Sequence, residues 1–433
     1  MNILSDKKFF IYPLLLFPPS LITGPFLPDL IISFLTIYFL IFLIINKSIK
    51  YLINDFTKIF FIFYIYIVLR SLFSDEILFT LKNTLFYFRF IIFALLLKYI
   101  LSQNLNLRNV FINIFLLTLI IISIDAFFEQ IRNSHWLFDK SSYAENYNNR
   151  ISGLFDEEYI LGGFILSFFP AVVVIYYFQK IRKKYELFLL ILLIVFFCYV
   201  VIITGERASF IKLLIFIFLA IFFTSIIKSF KIKSIISIII LFSIVFTISF
   251  QPKLKDRLIY HSMDLFFQND QFNRIDRNQP LINVFIDNYK KGNFKPLYFS
   301  KEHTNHAIIS FKMFYDNKIF GHGVKMFRFK CAENKYYIND RACSTHSHGI
   351  VFTFLSELGI IGILFMLTIY FYLIKHIFKP TKNKNIDKLI LMSILVYLFP
   401  LLPSGYFFNN FFSIILYTLV GLFLACKKNY NNN

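Results

Sequence analysis

Residues 185–204 read YELFLLILLIVFFCYVVIIT, twenty positions with a single charged side chain, Glu186. A run of about 20 apolar residues is what an α-helix needs to cross the hydrocarbon core of a bilayer. It is also far longer than a buried strand requires. The run ends at a short polar turn, TGER at 204–207, and the next apolar run starts at once and reaches 227. Two spans joined by four residues make a membrane hairpin, and the rest of the chain repeats the pattern. Hydropathy predicts spans at 8–24, 28–46, 57–74, 78–100, 108–128, 158–179, 185–204, 208–227, 232–251, 348–374, 387–403 and 405–426, twelve in all. The first contains Pro13, Pro18, Pro19, Gly24 and Pro25 and is expected to be bent or in two parts.

Composition agrees. Of 433 residues, 58% are hydrophobic and 16% charged, against about 25% charged in soluble domains, so water alone cannot be this chain's solvent. Four cysteines exclude a disulfide-built scaffold. The net charge of +20 fits either nucleic-acid binding or membrane orientation, and its distribution decides for the membrane. Lys47, Lys50, Lys58, Lys98, Arg108, Lys180–Lys184, Lys228–Lys233 and Lys375–Lys388 fall in alternate connections, whereas the intervening ones near 25, 75, 205 and 405 hold only Arg70 and Arg207. Basic residues mark cytoplasmic loops, so both termini are expected on the cytoplasmic side.

Two longer connections then lie on the outer side. One, at 129–157, holds the sole Trp136 and the run SSYAENYNNR. The other, 252–347 between spans nine and ten, carries 16 Lys and Arg against 9 Asp and Glu; it contains or borders six of the eight histidines: His261, His303, His306, His322, His346 and His348. Loops beyond about 60 residues translocate regardless of charge, which leaves this surplus free to serve a ligand. Within it, HTNHAIISFKMFYDN at 303–317 has Ile308, Phe311 and Tyr315 on one helical face, followed by the turn Gly321–Gly323. Cys331 and Cys343, on the oxidising side, are expected to form a disulfide.

The sequence lacks a Walker motif, GxGxxG, HExxH or CxxC, so any energy must arrive with the substrate. His346 and His348, in CSTHSHG at 343–349, stand at the mouth of a span, where an imidazole suits acid–base work. Arg207 at the 204–207 turn can fork onto a phosphate or pyrophosphate; its structural alternative is pairing with Glu206. Lys82 and Arg89, seven apart on the fourth span, share a face that looks into the bundle, with Asp125, Glu129 or Glu357 as partners. Glu357 lies below His348, able to tune it or to pair with a base. His303 and His306 have HxxH spacing, but no carboxylate or cysteine completes a metal set, so no metal is expected.

The strings DNKIFGHGVKMFRFKC (316–331), CSTHSHGIVFTFLSELGIIG (343–362), RISGLFDEEYILGGF (150–164) and TGERASFIKLLIF (204–216) resemble, in that order, segments of the O-antigen ligase and O-antigen polymerase superfamily of membrane glycosyltransferases. His348 keeps the family's spacing to Gly359 and Gly362, while Gly349 and Ser347 stand where Asn and Pro are usual. The resemblance implies an all-α polytopic protein of the bacterial inner membrane, with N-terminal spans to 150, a catalytic region over 151–375 and C-terminal spans from 376. It implies transfer of a glycan from an undecaprenyl-diphosphate carrier to a sugar hydroxyl on the periplasmic face, without a cofactor. The acceptor would be lipid A core in a ligase, or a growing glycan in a polymerase. His348 and Arg207 would be catalytic; His346, His306, Glu357, Arg328, Lys82 and Arg89 would contact substrate. Membrane lipid is the expected surrounding and nucleic acid is not a partner. A transporter would fit the intramembrane charges, but no repeat relates the two halves.

Overall fold

In a computed structural model, the structure describes residues 8–53, 55–132, 150–156, 158–180, 183–225, 229–262, 298–339, 342–379 and 385–429. Trp136, the SSYAENYNN run and residues 263–297 of the long connection lie outside them.

Among the described residues the fold is helical, without strands. In lipid a chain must satisfy its own backbone groups, and a helix does so within one segment. The helices are α1 (Lys8–Ser20), α2 (Phe26–Ile45), α3 (Asp55–Leu72), α4 (Ile77–Thr84), α5 (Phe88–Gln103), α6 (Leu105–Arg132), α7 (Leu161–Lys180), α8 (Lys184–Ile203), α9 (Arg207–Phe223), α10 (Phe230–Phe250), α11 (Lys301–Asp316), α12 (Ile350–Phe378), α13 (Asn385–Tyr397) and α14 (Asn410–Asn429). Helix occupies each of the twelve hydropathic stretches. Seven spans are long and apolar enough to cross a membrane by length and composition: α2, α4 with α5, α6, α7, α8, α10 and α12. This is a multi-pass membrane protein.

α1 keeps Pro13, Pro18 and Pro19 inside one helix and ends in a 3-10 turn before Gly24. Its core residues Leu14, Phe17 and Leu21 are buried against the bundle. α5 and α14 pack along each other, with Gly421 at the crossing, where a Cβ would stand 2.9 Å from Leu97 Cβ and 3.2 Å from Ala94 Cα. Small residues of this kind let helices approach closely where lipid removes the hydrophobic drive to associate. At the other extreme, α10 turns Ile238, Phe242, Val245 and Phe246 outward, as a helix bathed in lipid does.

Two spans are interrupted. Between α4 and α5 the freed carbonyls of Leu85 and Phe86 are taken by Tyr64 Oη (2.6 Å) and Arg89 Nη1 (2.9 Å). α12 passes through a π turn at Phe354–Leu358 and swings at Gly359, whose φ is 64°.

The α4–α5 break corrects the reading of Lys82 and Arg89. They do not share a face directed at Asp125, Glu129 or Glu357: Lys82 is exposed on α4, while Arg89 on α5 forms a forked pair with Asp29 (2.8 and 3.0 Å), which Asn410 also holds at 2.9 Å. Turn residues 85–87 separate the two helices, so the seven-residue spacing does not run along one regular helix face. Arg89 thus ties α2, α5 and the start of α14 together.

Candidate functional site

The long connection returns to the bundle through a backbone clamp. His322 N–H donates to Ser356 O (3.0 Å), Gly323 N–H to Glu357 O (2.8 Å), and Ile360 N–H to Lys318 O (2.8 Å). The π turn and the swing at Gly359 free these groups for pairing. Gly321 and Gly359 both have positive φ, and a Cβ on Gly321 would overlap the Glu357 backbone while one on Gly359 would stand 2.5 Å from Ile319 O. Glycine is required at both. Arg70 of α3 grips Gly321 O (2.6 Å from Nη2), and Tyr66 Oη donates to Leu358 O (2.6 Å).

Glu357, expected near substrate, belongs to this clamp. It is fully buried; its oxygens accept Lys325 N–H (3.0 Å), Phe327 N–H (3.3 Å) and Tyr406 Oη–H (2.5 Å). It orients the 325–327 turn and not a histidine. Beyond the turn, the Cys331–Cys343 disulfide closes a small core of Ile309, Met313, Phe327, Tyr336 and Ala342. α11 contributes to it the face bearing His306, Ile309, Ser310 and Met313, so the Ile308–Phe311–Tyr315 face points outward. His322 is held by Met313 O at 2.9 Å and lies with this core.

Clamp and disulfide together deliver four histidines to one place. His303 and His306, one turn apart on α11, meet His346 and His348 from the segment entering α12. Ring centres lie 3.9 Å apart for His346 and His348, 5.1 Å for His306 and His348, and 5.5 Å for His303 and His348. His348 has φ of 51°, uncommon for a residue with a side chain; Ser404 N–H donates to its carbonyl (3.2 Å) and Ser344 Oγ meets its Nε2 (3.1 Å). Ser300 Oγ fixes His303 through Nδ1 at 2.8 Å.

Burial disfavours the imidazolium form, and each ring repels a charge on the next. His348 is thereby lowered to about 3, and His346 and His303 to about 4. At neutral pH the quartet is uncharged, with its proton affinity held low until a negative charge is brought beside it. Both nitrogens of His306, which is 4% exposed, and Nε2 of His346 have no hydrogen-bond partner among the described residues. Groups buried this way cost about 1–3 kcal/mol each unless a ligand or water satisfies them.

Next to His303 lies a cluster of guanidiniums. Arg207, at the first position of α9, sits 4.6 Å over the Phe299 ring. Glu206 is not its partner, because that carboxylate caps α7 by accepting Gly162 and Gly163 N–H (2.7 and 3.2 Å) and Ser209 Oγ–H (2.6 Å). Arg150 is brought to the same turn by Ile151 N–H on Thr204 O (3.3 Å) and stacks 4.3 Å over Tyr159. Arg257 completes the group; burial, then Arg207 and Arg150, lower it to about 10. The Nε atoms of Arg150 and Arg257 lack hydrogen-bond partners among the described residues. Glu206, Glu302 and Asp256 lie within electrostatic reach of Arg150, Arg207 and Arg257 respectively, yet two of the three guanidiniums keep an unspent donor, and the group suits an anion. Arg150 and Arg257 were not singled out from sequence, where they open RISGLF and sit in DRLIY among many basic residues.

Residues 190–367 match the family model described as O-antigen ligase. They run from α8 to α12 and include Arg207, Arg257, the four histidines, the disulfide and the clamp. Over this region the chain is similar to the O-antigen ligase family. No curated protein matches the chain.

The matched region also accounts for Gly349, which stands where the resemblance leads to an expected Asn. A Cβ there would stand 2.8 Å from the Phe352 ring and 3.3 Å from Tyr298 Oη. The space beside His348 is thus filled by Phe352, and the polar atom in it is the Tyr298 hydroxyl, buried and without a partner among the described residues. Sequence reading missed Tyr298, whose only signal was proximity to HTNH. Arg328 lies at the far end of the quartet from Arg207, over the Phe79 ring at 5.4 Å.

Proposed function

We propose that the protein is a membrane glycosyltransferase that moves a glycan from an undecaprenyl-diphosphate carrier to a sugar hydroxyl at the periplasmic face, with lipid A core as acceptor. The observation carrying this reading is the abutment of a neutral histidine quartet on a three-arginine cluster. A polyprenyl diphosphate is an activated leaving group, so the reaction needs a charge acceptor and a base and nothing that hydrolyses nucleotide.

The chemistry follows from the placement. The acceptor oxygen attacks the anomeric carbon of the donor glycan, the bond from that carbon to the diphosphate breaks, and the diphosphate leaves with the electron pair. Arg207, Arg150 and Arg257 stabilise the charge that develops on it. His348, neutral and backed by Ser344, takes the proton of the attacking hydroxyl. The anionic donor beside the quartet favours the imidazolium against the burial that disfavours it, and so raises the proton affinity of His348 when it is needed. His346, His306 and Tyr298 line the sugar. The basic connections are read as cytoplasmic, with both termini there, and the site faces outward.

The test is reconstitution of the purified protein with lipid-linked glycan and each acceptor. One transfer to lipid A core supports the ligase; a lengthening ladder supports the polymerase of the same superfamily. No glycan transfer to either, with lipid-linked substrate moved across the vesicle wall instead, overturns the reading in favour of a transporter.

A further inference from the structure

A second group of cations stands at the His346 end of the quartet, away from Arg207. Arg328 rests on Phe79, and its buried Nε has no hydrogen-bond partner among the described residues. Lys325 sends its ammonium to Asn83 Oδ1 at 2.6 Å. Phe79 and Asn83 are four apart on α4, and Lys82, three after Phe79, shares their face. Lys82 itself is exposed on that helix, one turn from Phe79. The link to the reacting group is short: the His346 ring is 3.9 Å from His348 and 5.6 Å from Tyr406, whose hydroxyl accepts Lys325 N–H at 2.7 Å.

The carboxylates nearby are committed elsewhere. Glu357 is taken up by two amides and Tyr406, and Asp75 pairs with Lys330. A net positive pocket with an unspent guanidinium donor calls for an anion. That anion is not the donor's diphosphate, for which the three arginines already suffice. In a displacement at carbon the leaving group and the nucleophile lie on opposite sides, so if the arginines hold the departing diphosphate, the Arg328 end receives the acceptor.

We infer that the acceptor is an acidic glycan, whose phosphate or carboxylate is received by Arg328, Lys325 and Lys82 while its hydroxyl reaches His348. This rests on the transferase reading and adds the acceptor's chemistry to it. The three side chains are specificity-determining and do not touch the reacting atoms.

Full-length protein in lipid nanodiscs, titrated calorimetrically with glucose 6-phosphate, glucuronate and glucose, tests it. The anions should bind at least about tenfold more tightly than glucose, and the Arg328→Gln, Lys325→Gln double variant should remove that preference, while inorganic pyrophosphate still binds, showing the arginine cluster and the fold intact. Lys82→Gln, at an exposed position one turn from Phe79, should weaken the anions by about threefold with an unchanged melting temperature. Preference for one anion over the other supports the subsite and names its source. Equal binding of glucose, or anion binding lost in Arg207→Gln but not in the double variant, overturns it. Transfer assays with charged and neutral acceptors separate the two readings: equal transfer to both sinks the subsite and leaves the transferase, whereas anion binding without any transfer does the reverse.

Discussion

The clamp around Glu357 and the pocket around His348 lie a few residues apart on one chain and treat polar atoms in opposite ways. In the clamp, Glu357 has partners for both oxygens and the 318–323 backbone is paired to 356–360. In the pocket, His306, His346, Tyr298, Arg150, Arg257 and Arg328 each bury a donor or acceptor with no partner among the described residues. Satisfied buried groups hold a structure together, and orphaned ones cost stability that selection tolerates for binding. The comparison assigns stability to the first region and chemistry to the second, and substitutions can break it.

The largest effect is expected at His348 and Arg207. Alanine at either should lower transfer by about 10²–10³-fold with little change in melting temperature, read from initial rates with lipid-linked donor and from thermal unfolding in detergent. Next comes Glu357→Ala, which orphans two amides and a tyrosine hydroxyl at once. We expect about 3 kcal/mol of destabilisation and easier proteolysis of the 318–331 segment. A melting temperature equal to that of the parent would show that Glu357 does not hold the clamp.

Tyr298→Phe sharpens the contrast. Removing an unpartnered hydroxyl should leave stability unchanged or slightly raised, while transfer falls about tenfold, mostly in kcat if the hydroxyl engages the sugar in the transition state. A drop in stability instead would place Tyr298 with the clamp. A separate test is the pH dependence of stability. His303 and His346 titrate near 4 in the folded protein, against 6.5 when unfolded. Between those values the unfolded chain holds protons that the native site does not, so stability rises with pH from about 4 to 6.5 and is flat above it. The His303→Gln, His346→Gln double variant should reduce that rise in thermal unfolding measured across pH, the remainder coming from His348 and His306; an unchanged slope would mean the rings are not held neutral.

Apolar length and the alternation of basic connections made the helical stretches readable, because lipid imposes both on sequence. The site was partly readable for a different reason: His346, His348 and Arg207 stand out where the surrounding sequence is apolar. Arg150 and Arg257 do not stand out in basic connections, and only folding brings them to Arg207. The α4–α5 break left no proline or glycine, since Tyr64 and Arg89 satisfy the freed carbonyls from elsewhere in the bundle, and Lys82 was misplaced with it. Glu357 carried the right motif and the wrong role, because a carboxylate that caps backbone amides looks in sequence like one that tunes a base.

The central claim is that neutral His348 and the arginine cluster act together on a lipid-linked diphosphate. Single-turnover transfer of radiolabelled glycan from polyprenyl-diphosphate donor, with wild type, His348→Ala and Arg207→Ala, measures it most directly, donor binding being followed in parallel. The account predicts that His348→Ala binds donor normally and transfers glycan about 10²–10³-fold more slowly, while Arg207→Ala loses donor affinity and rate together. Transfer at the wild-type rate by His348→Ala would contradict it.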